Sequence, residues 1–206
     1  MTLLEVVVDS LSDLRRAEAG GAQRIELCSR LDVGGVTPTR GLLELAQAQS
    51  KLPLCVMVRP RGGDFTYDAV ELESMRADIA WLKERKVMAA VFGVLRADCT
   101  LDVERMRELV ALARPLKVTC HRAFDRTPDQ VAALDELIAL GVDRVLTTGG
   151  ASDAHAGRRE LRKLVERARG RIAVLAGGGV RAHNWREIVA DSGVREIHSS
   201  TVFPLA

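Results

Sequence analysis

The stretch AGGAQRIELC (residues 19–28) joins the end of a predicted helix to the start of a predicted strand. Two glycines stop the helical pattern, a short polar turn follows at Gln23, and the run RIEL has the length of a buried strand. The same order returns in LGVDRVLTTGG (140–150). Repeated use of this helix-to-strand connection predicts a fold in which strands and helices alternate.

Eight short apolar runs and seven stretches of helical periodicity follow this order along the chain. The predicted strands are 3–8, 24–27, 54–58, 87–92, 117–120, 144–147, 172–176 and 196–199. The predicted helices are about 10–20, 39–50, 68–85, 102–113, 128–140, 157–169 and 182–191. The segment DSLSD (9–13) offers a cap for the first helix, and Thr127 is expected to cap the fifth, with Pro128 at its first position.

The fold class that this alternation predicts is α/β, with parallel strands joined by right-handed crossovers. Eight such strands close most simply into a TIM-type (β/α)8 barrel, here a single domain over residues 1–206. An open doubly wound sheet is the alternative, but no G-x-G-x-x-G follows the first strand. Only STVFPLA (200–206) follows the last strand, so the final helix is expected to be short or missing. A second subunit would then cover the open wall, which predicts a homo-oligomer, most simply a homodimer.

Composition narrows the function classes. The chain is 47% hydrophobic and 28% charged, and its net charge of +2 gives no electrostatic case for a nucleic-acid partner. Glu5 and Asp9 come too early for a signal peptide, and no apolar run approaches the length of a membrane span, so we expect a cytoplasmic protein without a membrane partner. The cysteines have no CxxC spacing and are expected to be free thiols: Cys28, Cys55, Cys99 and Cys120.

Polar side chains cluster just after the predicted strands, at the barrel end where sites form. The period-2 alternation points Glu5, Glu26 and Arg59 into the barrel, and on the later strands His121 and His198. Isolated charges are costly to bury, so these groups must pair with one another or meet a ligand. A further set begins its strands and is expected to form a salt-bridged plug at the opposite end: Arg24, Lys117 and Glu196.

Two arginines and a histidine at a shared mouth suit an anionic ligand. The glycines of AGGGV (176–180) would let backbone N–H groups approach a phosphate. The predicted anion-binding residues are Arg59, Arg61, Thr148, Gly177, Gly178, Gly179 and Ser199. The predicted catalytic residues are Glu5, Glu26, His121, Asp125 and His198. With a Glu as base and His121 as acid, they indicate a lyase- or isomerase-type activity on a small phosphorylated or carboxylated substrate. A satisfied polar network without a catalytic role is the alternative.

Several motifs closely resemble the CutC copper homeostasis family. They run in order through nearly the whole chain: QRIELCSRLDVGGVTPTRG (23–41), RPRGGDF (59–65), VTCHRAFD (118–125), RVLTTGG (144–150), AGGGV (176–180) and EIHSS (196–200). The resemblance implies a cytoplasmic TIM-like barrel, often oligomeric, that is associated with copper and is a candidate for Cu(I) binding through cysteine.

The implied metal ligand is Cys28, but its expected partner is missing. Some members of the family carry EVCVDS in the first strand, where this chain reads EVVVDS, so Val7 stands in place of a second cysteine. Cu(I) prefers two or three soft ligands. Met57 shares the inward parity and could pair with Cys28, although a methionine there is also an ordinary core residue.

Overall fold

A computed structural model describes residues 2–205 and contains eight strands and seven α-helices in strict alternation. The strands are β1 (Leu3–Val8), β2 (Arg24–Leu27), β3 (Leu54–Met57), β4 (Ala89–Phe92), β5 (Lys117–Cys120), β6 (Arg144–Thr147), β7 (Ala173–Ala176) and β8 (Glu196–Ser199). The helices are α1 (Leu11–Ala19), α2 (Arg40–Gln49), α3 (Ala69–Glu84), α4 (Val103–Ala113), α5 (Gln130–Ala139), α6 (Arg158–Ala168) and α7 (Trp185–Ser192). Short 3₁₀ turns lie at Leu31–Val33 and Arg122–Arg126. None of these helices is long and apolar enough to cross a membrane.

The sheet closes on itself, because β1 pairs with β8 as well as with β2. All neighbouring strands are parallel, so the predicted TIM-type barrel is confirmed and the open-sheet alternative is wrong. The closing register places Glu5 beside both His198 and Arg24. This register decides which charged side chains meet inside the barrel.

Alternation along the strands sorts the core into two parts. Residues such as Val6, Ile25 and Cys120 point outward and pack under the helices. The inward residues form a separate, smaller cluster that includes Cys28, Cys55, Met57, Ala89 and Val91. The predicted parity of these strands is therefore confirmed, and Cys28 and Met57 both face the interior.

The charged plug at the lower end of the barrel is confirmed for Arg24 and Glu196, which form an ion pair at 2.5 Å. It is wrong for Lys117, whose side chain is exposed and makes no ion pair with the residues described. Arg144 takes the interior position instead, is 4% exposed and donates to Thr119 Oγ1 at 3.1 Å. The stagger of the barrel explains the exchange: Arg144 pairs with Thr119, two residues further along β5 than Lys117.

The predicted N-terminal cap is confirmed for α1 and wrong for α5. The Ser10 hydroxyl accepts from the Asp13 N–H and caps α1, as predicted. For α5 the prediction is wrong, because the cap is Asp129 and the helix begins at Gln130. Thr127 instead ends the preceding 3₁₀ turn and donates its hydroxyl to the Phe124 carbonyl at 2.8 Å.

After β8 the chain runs on without a helix in the part that the structure describes, as expected. Phe203 is buried and stacks on Trp185 with ring centroids 6.4 Å apart. A Cβ added to Gly20 would lie 2.6 Å from the Val202 side chain, so the tail also lies tightly against the end of α1. The extended tail thus covers part of the wall that an eighth helix covers in a complete barrel.

Candidate functional site

The candidate site is a cavity of about 470 Å³ at the C-terminal mouth of the barrel. Six of the predicted site residues line it: Glu26, Cys28, Arg59, His121, Asp125 and His198. The lining also includes Met57, Phe65, Arg122 and Arg126. The cavity therefore has a polar wall, a sulfur-containing wall and a basic rim.

Glu26 and His198 form the polar wall of this cavity, and Glu5 is hydrogen-bonded to His198 but does not itself line the cavity. The two carboxylates are each 2% exposed, and His198 is 9% exposed. His198 Nδ1 lies 2.8 Å from Glu5 Oε1 and 3.5 Å from Glu26 Oε2. The β1–β8 register brings Glu5 to His198, and β2, the other neighbour of β1, supplies Glu26.

The pKa values of Glu5, Glu26 and His198 are shifted in different directions. Burial alone would raise the pKa of Glu5, but the hydrogen bond to His198 and the charge of Arg24 lower it to about 2. Burial raises the pKa of Glu26 to about 7, and the Glu5 charge adds to the rise. For His198, burial opposes the charged form, but Glu26 and Glu5 outweigh it and raise the pKa. Glu26 Oε2 is buried without a hydrogen-bond partner among the described residues.

His121 stands on another wall of the cavity as a neutral imidazole. Burial and the charge of Arg59 lower the pKa of His121 to about 3. Its Nδ1 accepts from the Ala123 N–H at 3.3 Å, so the proton resides on Nε2. That Nε2–H is buried and has no acceptor within the part of the chain that is described. His121 therefore presents a hydrogen-bond donor that awaits an oxygen atom.

Arg59 lines the cavity, but its guanidinium group donates its hydrogen bonds to backbone carbonyl oxygens. It donates to the carbonyl oxygens of Val33 at 3.1 Å, Gly35 at 3.0 Å and Gly63 at 2.8 Å. Its guanidinium also lies 4.8 Å from the centroid of the Phe65 ring. Arg59 thus holds two loops at the mouth of the barrel, the one that contains Val33 and Gly35 and the one that contains Gly63. Its Nε atom is buried and has no hydrogen-bond partner among the described residues.

Arg61 turns away from the cavity, and its side chain is 39% exposed. It pairs with Glu71 at 2.5 Å and with Asp64 at 3.0 Å. Glu71 belongs to the capping box at the start of α3, so Arg61 ties the RPRGGDF loop to that helix. The two arginines of this motif therefore stand in different environments.

Asp125 holds together the loops after β5 and β6. It accepts from the Thr148 N–H at 3.1 Å, from the Thr147 hydroxyl and from Arg122 Nε at 2.9 Å. Thr148 itself is buried and donates its hydroxyl to the Ala151 carbonyl. Asp125 fixes the position of Arg122 at the rim, and its own oxygens are fully used.

The glycine-rich segment and Ser199 lie behind the cavity wall. Gly178 packs against Thr148, where an added Cβ would come within 2.6 Å of the threonine methyl group. The carbonyl of Gly178 accepts from Ala154 N–H at 2.8 Å, and that of Gly179 accepts from the Asn184 amide at 3.0 Å. Ser199 donates to the Val180 carbonyl at 2.8 Å. Gly177 hydrogen-bonds to Thr147 across the sheet, and the residues of this segment do not line the cavity.

Cys28 and Met57 form the sulfur-containing wall. A Cβ added to Gly35 would lie 3.3 Å from Cys28 Sγ and 3.4 Å from Met57 Cε, so both side chains of this inward cluster approach the same glycine. Burial, with the charges of Glu26 and Asp9, raises the pKa of the Cys28 thiol. Cys55 lies deeper, beside Arg144 at 3.5 Å. All four cysteines are free thiols, as predicted.

Sequence reasoning missed three parts of the site. Phe65, Arg122 and Arg126 line the cavity, although the sequence analysis assigns a role to none of them. The motif HRAFDR (121–126) gives a partial signal, because its two apolar residues separate the two arginines: Phe124 is buried in the 3₁₀ turn, and Arg122 and Arg126 line the cavity. Phe65 carries no comparable signal, since it lies beyond two glycines.

Comparison with known proteins identifies the family of this chain. The model of the CutC family matches residues 2–203. A CutC family protein of Parabacteroides distasonis is 47% identical over 199 residues, which cover 96% of this chain and 82% of that protein. The human copper homeostasis protein cutC homolog is 47% identical over 198 residues, covering 96% of this chain and 72% of its own length.

A solved structure gives the same result at the level of the fold. The crystal structure described as the copper homeostasis protein CutC of Streptococcus agalactiae superposes with a TM-score of 0.93 at 35% identity. The alignment covers 98% of this chain and all of that one. The sequence motifs, the closed barrel and these relatives lead to one conclusion: the chain belongs to the CutC family.

Proposed function

We propose that this chain acts in copper homeostasis, with the mouth cavity as its working site. The names of the human and mouse relatives, at 47% and 48% identity, support a relation to copper. The observation that carries the proposal is that Cys28 and Met57 both line the cavity and both approach Gly35.

Cu(I) is the cargo that these two sulfur atoms suit best. Thiolate and thioether ligands are soft and select Cu(I) over harder ions. Val7, half-buried beside this pair, supplies no third sulfur.

A competition titration against a chromogenic Cu(I) chelator under reducing, anaerobic conditions tests this proposal. We expect Cys28→Ser to lower the affinity at least tenfold and Met57→Leu to lower it severalfold. Cys99→Ser is the matched control, because Cys99 is the exposed thiol of the chain, and its removal should leave the affinity unchanged. Equal binding by the wild type and Cys28→Ser would exclude copper as the ligand of this site.

A second candidate function rests on His121. Its buried Nε2–H has no acceptor among residues 2–205, and Arg122 and Arg126 line the rim of the same cavity. A small anion with a carbonyl or hydroxyl oxygen would satisfy both the imidazole and the rim. In this proposal Glu5, Glu26 and His198 supply the acid–base groups of a lyase- or isomerase-type reaction. Asp125 positions Arg122, and Arg59 acts through the loops that it fastens.

The experiment for this candidate is capture of metabolites on the immobilised protein, followed by mass spectrometry. The wild type should enrich a small anion that His121→Asn and Arg122→Ala fail to retain. Arg158→Ala, which removes an ion pair with Asp191 outside the cavity lining, is the matched control and should retain it. Identical metabolite profiles from all four proteins would exclude the candidate.

The free thiols and the tail after β8 also support a proposal for the location and the oligomeric state of the protein. We propose a cytoplasmic location, supported by four free thiols, and a homodimer, supported by the shallow cover that the tail gives to the wall between α1 and α7. Cell fractionation and sedimentation velocity test these points. A protein recovered outside the cytoplasm, or one that sediments as a monomer at micromolar concentration, would contradict them.

A further inference from the structure

We propose that Glu5, Glu26 and His198 form a binding site for a divalent transition-metal ion of the Zn²⁺ or Mn²⁺ type, distinct from the Cu(I) pair. The three residues stand on the neighbouring strands β8, β1 and β2; Glu26 and His198 line the mouth cavity, and Glu5 lies beside His198, outside the lining. This site goes beyond the proposed role in copper homeostasis, and none of its ligands is a sulfur atom.

The first support is the convergence of the donor atoms. One donor atom from each of the three residues lies within 4.8 Å of the other two. His198 Nδ1 is 2.8 Å from Glu5 Oε1 and 3.5 Å from Glu26 Oε2. Ligands bound at about 2.0–2.2 Å around a tetrahedral ion lie roughly 3.4 Å apart. Small side-chain rotations would therefore bring all three donors to an ion.

The second support is Glu26 Oε2, which lies 3.5 Å from His198 Nδ1 but forms no hydrogen bond with the described residues. This atom is buried in a residue that is 2% exposed, and it accepts no hydrogen bond from the residues described. A buried carboxylate oxygen without a partner is unfavourable, and such atoms usually indicate an ion, a water or a ligand. Coordination to a metal would satisfy it.

The third support is the group that orients the ligand Glu5. Arg24 Nε donates to Glu5 Oε2 at 2.5 Å, which leaves Oε1 directed toward His198 and Glu26. Metal-binding carboxylates are commonly held in this way by a hydrogen bond to their second oxygen. Arg24 also pairs with Glu196 at 2.5 Å, so much of its positive charge is balanced outside the triad.

The donor set decides the class of metal. Two carboxylates and one imidazole suit Zn²⁺, Mn²⁺ or Fe²⁺. They are too hard for Cu(I), and they are too few for Ca²⁺, which takes six to eight oxygen ligands. Three protein ligands leave coordination positions open toward the cavity, where water or the oxygen of a small molecule can bind.

Isothermal titration of EDTA-treated protein with ZnCl₂, and separately with MnCl₂, at pH 7 tests the site. We expect one ion per chain for the wild type and at least a tenfold loss of affinity in Glu26→Gln, which keeps the shape of the side chain. Glu73→Gln on the exposed face of α3 is the matched surface control and should bind as the wild type does. Cys28→Ser should also bind normally. Equal affinity of the wild type and Glu26→Gln for both ions would overturn the proposal.

X-ray absorption at the zinc edge of the wild-type complex provides a test that requires no variant to fold. A first shell of nitrogen and oxygen with an imidazole signature is expected. Sulfur in the shell would mean that zinc binds at Cys28, and it would overturn the triad as the site. The Cu(I) titration has its own variant, Cys28→Ser, so either proposal can fail while the other stands.

Discussion

Arg59 is expected to act as a structural fastener of the mouth, and its replacement by alanine should cost about 3 kcal/mol of unfolding free energy. The guanidinium donates three hydrogen bonds to carbonyls at 2.8–3.1 Å. Hydrogen bonds from a charged donor contribute about 1.5 kcal/mol each at the lower limit, which gives roughly 4–5 kcal/mol. Carbonyls of the surface loops would regain water in the variant, and this reduces the loss to about 3 kcal/mol.

Urea denaturation followed by circular dichroism measures the change, and hydrogen exchange at residues 33–35 reports the loops directly. Arg59→Lys should lose about 2 kcal/mol, because one ammonium group cannot reach three carbonyls in a fork. Arg61→Ala is the internal control from the same motif: its ion pair is partly exposed, so the loss should stay below about 1 kcal/mol. An Arg59→Ala variant as stable as Arg61→Ala, with unchanged exchange, would refute the reasoning.

Three further predictions concern the rest of the molecule. The folded state holds the pKa of His121 at about 3, against an ordinary value of 6.5, so the unfolded chain binds a proton at higher pH than the folded chain and stability falls as the pH drops below 6.5. Between pH 7 and pH 4 the wild type should therefore lose about 3 kcal/mol more unfolding free energy than His121→Asn in urea denaturation. Equal losses in the two proteins would contradict this prediction. Gly93→Ala places a Cβ 2.9 Å from His121 Nδ1 and should cost about 1–3 kcal/mol in urea unfolding, whereas unchanged stability would mean the site can expand. Phe203→Ala should cost about 2 kcal/mol in the same assay and shift Trp185 emission to longer wavelength, against little change for Leu205→Ala.

Much of the fold could be predicted from the sequence because two periodicities carry it. The strand bounds agree with the predictions to within two residues, since each apolar run is flanked by glycine or polar turns. The inward parity of Glu26, Cys28 and Met57 followed from the alternation alone. The gathering of polar groups at one mouth followed from the rule that parallel strands end together.

The rest depended on quantities that the sequence does not contain. The stagger of the barrel, which places Arg144 rather than Lys117 in the interior, arises from the register of the closed sheet. The different environments of Arg59 and Arg61 depend on where two loops place their carbonyl oxygens, and no periodicity governs loops. Thr127 does not cap α5, because its hydroxyl donates to the Phe124 carbonyl at the end of a five-residue 3₁₀ turn.

The pairing of the first and last strands has a consequence for synthesis on the ribosome. Glu5 and His198 are hydrogen-bonded across 193 residues of sequence, and Arg24 and Glu196 across 172. A nascent chain that lacks β8 therefore carries Glu5 and Glu26 on an open sheet without their histidine partner. Such a sheet gains little by excluding water from these carboxylates. Synthesis of β8 then supplies the last strand of the barrel and the missing charges together, so that partial barrels have little stability to trap the chain on its way.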